Sequence, residues 1–104
     1  MPEDKVLAFE HVRIDTGGRR VWVDEDEIES TATEFDLLLA LAEKPGGVLS
    51  REQVLEKVWG CDYFGEIRVV DVYIGHIRQK LGDEDLIGTM PSVGYRFRDG
   101  GGIS

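Results

Sequence analysis

The chain has 104 residues, 41% hydrophobic and 32% charged, with a formal net charge of -9 at pH 7. That suits one soluble domain with one core and is too apolar for a disordered segment. No apolar run approaches the ~20 residues of a membrane span, Met1-Pro-Glu-Asp-Lys5 has no charged-then-apolar leader pattern, and Cys61, the only cysteine, permits no internal disulfide, as suits a reducing cytosol.

Residues 6–14 alternate approximately and read as one or two strands. Thr16-Gly-Gly-Arg19 is a turn, residues 20–24 a further strand, Glu25-Asp26 a tight turn, and residues 27–30 a short strand. Together they predict a four-stranded antiparallel meander. Thr31-Ala-Thr-Glu34 forms a capping box, in which the hydroxyl accepts from the amide three residues on and the glutamate reaches back. It launches an apolar helix that Lys44-Pro-Gly-Gly47 stops. Val48-Leu49 is a short bridge to a second capping box, Ser50-Arg-Glu-Gln53. The helix that follows has Val54, Leu55, Val58 and Trp59 on one side and ends at Gly60. Residues 61–65 form a loop. The third helix, about 67–81, sets Val70, Ile74, Ile77 and Leu81 at i, i+4, i+7 and i+11, one apolar stripe. Arg68, Val72, Gly75, His76 and Gln79 lie on its other faces. Residues 82–85 end it. Residues 86–90 and 95–98 make a hairpin across Pro91-Ser-Val-Gly94, before a flexible glycine-rich tail, 100–104.

Charge is uneven along the chain. Residues 1–50 carry 12 acids and 5 bases, residues 51–104 carry 9 acids and 7 bases, and within 68–81 Asp71 faces Arg68, Arg78 and Lys80. Nucleic-acid binders are usually basic overall, and this chain is not. In a domain with a radius of gyration of roughly 13 Å, acids on the far side lie two or more Debye lengths of about 8 Å from a bound phosphate. The local field therefore decides. His11, Cys61 and His76 are too scattered for a zinc site, so no cofactor is expected. The acidic run at residues 24–27 reads as a solvated hairpin turn rather than a metal or catalytic cluster.

Several segments, in order and spacing, carry a family resemblance. They are Thr31-Ala-Thr-Glu-Phe35, Leu49-Ser-Arg-Glu-Gln53, Val58-Trp-Gly60, Arg68-Val-Val-Asp-Val72, Ile77-Arg-Gln-Lys-Leu81 and Val93-Gly-Tyr-Arg-Phe97. Through them residues 6–99 resemble the C-terminal DNA-binding domain of OmpR/PhoB-type response regulators. The resemblance implies an α+β winged helix-turn-helix: a four-stranded antiparallel N-terminal sheet, three helices and a C-terminal β-hairpin wing. It implies a cytoplasmic, non-enzymatic transcription regulator on promoter DNA with direct-repeat half-sites. It further implies a preceding receiver domain, absent from this chain, with a sensor histidine kinase acting on it, and a contact with RNA polymerase.

Carried over residue by residue, the resemblance turns Arg68, Val69, Val72, Tyr73, His76, Arg78 and Lys80 of the third helix toward DNA. On the hairpin it implicates Thr89, Ser92, Tyr95 and Arg96 in phosphate contacts, with packing on the core an equal reading for Tyr95. Trp59 offers an indole N–H to a phosphate, set against a place at the core edge. Tyr63 and Phe64 occupy the loop that meets polymerase, with packing the plainer role for Phe64. The departures soften the charge. Gly75 stands where the family often has a base, at about 1 kcal/mol relative to alanine. His76 is largely neutral at pH 7. Pro91 occupies the wing position of a minor-groove arginine. Val69 and Val72 suit thymine methyls. Asp71, inside the reading helix, is expected to pair with and orient a nearby base. The alternative function is a winged-helix protein-interaction module. A hydrolase lacks any visible nucleophile–base pair.

Overall fold

The computed structural model describes residues 6–9, 11–44, 46–60, 63, 65–82 and 85–98. Four strands come first: β1 (Val6–Phe9), β2 (Val12–Asp15), β3 (Arg20–Val23) and β4 (Asp26–Ile28), antiparallel in the order β1-β2-β3-β4. Alternation buries Val12, Ile14 and Val21 on the inner face and leaves Arg13, paired with Trp22, on the outer one. The last strand starts earlier than expected. Val23 pairs with Asp26, so the turn is Asp24-Glu25, with Asp24 at φ 58. Aspartate tolerates that left-handed value better than most side chains.

α1 (Ala32–Ala42) begins at the capping box read from the sequence. Thr31 Oγ1 accepts from the Glu34 amide at 3.2 Å, and the Glu34 carboxylate accepts from the Thr31 amide at 3.0 Å. Phe35, Leu37, Leu38, Leu41 and Ala42 are all buried, so the helix is wrapped on most sides. That explains its nearly unbroken apolar run. Arg19 ties the sheet to it, bonding Asp36 at 2.9 Å and lying 4.5 Å over the Phe35 ring.

Val48-Leu49, expected as a short bridge, belongs to a strand, β5 (Val48–Ser50). It pairs with β7 (Gly94–Phe97), which also pairs with β6 (Ile87–Met90), giving a three-stranded sheet ordered β5-β7-β6. Three residues show no period, and their hydrogen-bonding partner lies more than 40 residues away, so local pattern cannot reveal the pairing. Gly94, expected in the hairpin turn, is within β7 opposite both Met90 and Ser50. A Cβ there would stand 1.9 Å from the Leu49 carbonyl oxygen, so the close approach of β5 requires glycine. The turn is Pro91-Ser-Val93, closed by Val93 N–H donating to Met90 O at 2.9 Å, with Ser92 at φ 64.

α2 (Arg51–Val58) starts at the second capping box, with bonds of 3.1 and 2.8 Å between Ser50 and Gln53. Val54 is fully buried, while Leu55, Val58 and Trp59 are partly buried against the core. α3 (Arg68–Leu81) buries Val70, Ile74, Ile77 and Leu81, the stripe that the spacing predicts. Gly82 ends it at φ 71, its N–H donating to Arg78 O. The expectations for Phe64 and for the tail fall outside the described residues.

Candidate nucleic-acid interface

α3 is the second helix of the α2–α3 pair, and its stripe against the core sets what it can present outward. Two residues off that stripe, at the same spacing, run Arg68, Val72, Gly75 and Gln79, all exposed, with His76 beside them. Val72 is 50% exposed, a large share for valine on a helix with a buried side. This ridge holds one permanent cation, one apolar group, a gap and an amide able to both donate and accept. It can read base edges by hydrogen bonding and methyl contact, and hold a phosphate at Arg68.

The other two bases of the helix are on its flanks, and both have partners. Arg78 Nε donates to Ile87 O at 3.0 Å and its Nη2 to Thr89 Oγ1 at 2.8 Å, linking α3 to β6. Lys80 Nζ lies 2.6 Å from Glu34 Oε1, linking α3 to the α1 cap. His76 Nδ1 is 3.7 Å from the other Glu34 oxygen. Burial pushes the Glu34 carboxyl up, but Lys80, the Thr31 amide and His76 outweigh it and hold the group below its ordinary value.

Asp71 pairs with a base as expected, and the base comes from α2. Arg51 Nε donates to Asp71 Oδ1 at 2.9 Å, and the Tyr95 hydroxyl donates to the same oxygen. Burial raises the Asp71 carboxyl, and these two donors more than reverse it, so the net shift is downward. Burial and the adjacent carboxylate both raise the Tyr95 hydroxyl. Tyr95 is only 5% exposed, its ring on the core and its hydroxyl on Asp71. Three elements, α2, α3 and β7, thus meet at one carboxylate oxygen.

An aromatic row supports the N-terminal half of the ridge. The Trp59 ring meets Tyr73 edge-on at 5.4 Å and Tyr63 at 6.1 Å, and Tyr73 lies 5.6 Å from His76. Val69 and Tyr73 are partly buried against the core. On the hairpin, Thr89 and Ser92 are exposed. Arg96 pairs with Gly88 and Val48, on the opposite sheet face from Tyr95. It lines an open groove with Gly46, Asp85, Gly88 and Arg98, so the structure does not bring it to the α3 ridge.

The structure therefore gathers Arg68, Val72 and His76 on one outward face. It sets Val69, Tyr73, Arg78 and Lys80 on the flanks and places Trp59 and Tyr95 in supporting packing. Gln79 joins that face and was absent from the candidates, although its i+11 spacing from Arg68 was legible. Glu34 was legible only as the capping glutamate of α1; that it and Arg51 hold α3 had no local signal, because Lys80 and Asp71 are distant from them in the chain. Among the described residues, no group of three or more His, Cys, Asp or Glu could hold a metal ion. Among them, too, no helix is long and apolar enough to cross a membrane.

A family model described as the C-terminal part of transcriptional regulatory proteins matches residues 25–97. The uncharacterized transcriptional regulatory protein YkoG of Bacillus subtilis is 43% identical over 95 residues, covering 88% of this chain and 42% of that protein. The DNA-binding domain of Klebsiella pneumoniae RstA, solved in complex with the RstA box, superposes with a TM-score of 0.82 at 30% identity, covering 91% of this chain and 98% of that one. DrrB of Thermotoga maritima, a response regulator and OmpR/PhoB homologue, also gives 0.82, at 35% identity, over 89% of this chain and 44% of that one. The chain spans roughly two-fifths of the length of the curated relatives it matches.

Proposed function

Because the chain belongs to the family of C-terminal domains of transcriptional regulatory proteins, of the OmpR/PhoB winged-helix type, we propose that it binds double-stranded DNA sequence-specifically as the effector part of a two-component response regulator. The family is one of regulators, not of enzymes, and the domain works by occupancy of a promoter site without catalysis. The observation that carries the reading is the Arg68–Val72–Gly75–Gln79 ridge, standing clear on a helix whose opposite stripe is buried. A major groove about 12 Å wide accepts such a helix.

Within that reading Arg68, Val72, His76 and Gln79 are the contact residues, with Thr89 and Ser92 at the hairpin offering hydroxyls to phosphate. Arg78, Lys80, Tyr95, Trp59 and Tyr73 are positioning residues, because their polar or ring contacts lie inside the domain. Val69 borders the contact face, and Arg96 serves the far side of the hairpin. Residues 6–99 form the domain. Two copies occupy direct-repeat half-sites head to tail, about one helical turn apart. A receiver outside this chain, phosphorylated by a sensor kinase, raises their local concentration. Tyr63, partly buried on Trp59, marks the loop offered to RNA polymerase.

In vitro selection from random duplexes, followed by footprinting, tests the reading. Repeated half-sites are expected, and protection of only unrelated sequence removes the tandem arrangement. The alternative, a protein-interaction module, draws on the net acidity and on the partnered Arg78 and Lys80. Absence of binding to any duplex at low salt would favour that alternative.

A further inference from the structure

Gly75 has no explanation inside the domain. A glycine in a helix interior disfavours the helix relative to alanine. That cost is usually offset by a left-handed backbone or by a neighbour that leaves no room for a side chain. Gly82 shows the first, at φ 71, and Gly94 the second. Gly75 shows neither. Its φ is not positive, and a Cβ built on it meets nothing within 4 Å. It sits mid-helix and exposed, one turn from Val72 and one turn from Gln79 on the outward ridge. The missing side chain leaves bare backbone at the centre of the face, and what benefits must lie outside the molecule.

We infer that Gly75 is a specificity-determining position: the point where the backbone of α3 comes closest to base-pair edges and thereby seats Val72 on a thymine methyl. The inference rests on the duplex-DNA reading above. A helix with its side chains is 10–12 Å across and nearly fills the major groove. With no side chain at the middle of the ridge, the helix can sit deeper there. Val72, three residues earlier on the same ridge and half-exposed, then reaches the groove floor, where thymine presents its methyl. The ligand class is a duplex with an A·T pair at the centre of each half-site. Bare backbone at Gly75 excludes no base by charge, so discrimination there comes from depth.

The test uses the 104-residue chain and the duplex it selects from a random pool. Gly75→Ala is expected to unfold at a higher temperature than the parent yet bind the selected duplex about tenfold more weakly. Replacing thymines one at a time by deoxyuridine is expected to weaken the parent about fourfold at one position, the value of one methyl-sized group. Val72→Ala should lose the same affinity and be indifferent to that replacement. The inference is overturned if Gly75→Ala binds as tightly as the parent, if its unfolding temperature falls, or if no deoxyuridine position matters. If the parent selects no duplex at all, the DNA reading itself fails. A parent that selects a site while Gly75→Ala matches it removes only this inference.

Discussion

Two carboxylates, the buried Glu34 and the partly exposed Asp71, carry the contacts that orient α3. Glu34 takes Lys80, His76 and the Thr31 amide, and Asp71 takes Arg51 and the Tyr95 hydroxyl. Both sit below their ordinary values of 4.5 and 3.8 in the folded chain. A depressed carboxylate stabilises the fold above its unfolded value, and that contribution is lost as pH falls through the folded one. Denaturant unfolding should therefore show stability steady from neutral pH down to about pH 5 and falling steeply below about pH 4. Glu34→Gln and Asp71→Asn should each be less stable at pH 7 and show a flatter acid limb; an unchanged limb in both would refute the assignment. Tyr95→Phe keeps the ring on the core and deletes one donor to Asp71, so urea unfolding should register a loss of about 1 kcal/mol. Duplex affinity should be unaffected, since the hydroxyl is turned inward.

At the level of elements, two glycine-to-alanine changes should have opposite signs. Gly75→Ala adds a methyl in open space to α3 and should raise stability by up to about 1 kcal/mol. Gly94→Ala forces a carbon into the Leu49 carbonyl and should cost at least about 3 kcal/mol or prevent the β5–β7 pairing altogether. Thermal unfolding of the pair settles it, and similar shifts for both would mean β5 can move away freely. Thr31→Ala should lose about 1 kcal/mol, as N-caps do. The backbone amide at position 31 remains, so the Glu34 carboxylate keeps that donor and Lys80 should stay paired with it.

Across the whole molecule, the acidity and the reading face are separable. The shortest extent is 25 Å, about three Debye lengths at physiological salt. Acids on one side are therefore largely screened from a phosphate on the other. With Arg78 and Lys80 engaged, Arg68 is the one base on the outward ridge of α3. The log–log dependence of affinity on salt should accordingly be shallow, with a slope no steeper than about -4. Arg68→Ala should flatten it by about 0.9 and leave unfolding unchanged, whereas Arg78→Ala should lower the unfolding temperature through loss of its bonds to Ile87 and Thr89. Equal salt slopes for parent and Arg68→Ala would place the phosphate contact elsewhere.

Period and capping are local, so the sequence alone located both capping boxes, the buried stripe of α3 and the spacing of motifs that marks the family. The N-terminal meander was legible for the same reason, apart from the Asp24-Glu25 turn. That turn was misplaced because pairing register, not composition, chose which residues made it. Tertiary structure decided what no window of residues contains. Val48 became a strand because β7 ran beside it, and Gly94 became obligatory because β5 came so near. Arg78 and Lys80 read as free bases on a reading helix until Ile87, Thr89 and Glu34 stood next to them. Helical spacing says which residues share a face, but hydrogen bonds form between neighbours in space. Which charges remain for DNA is therefore determined by elements far apart in the chain.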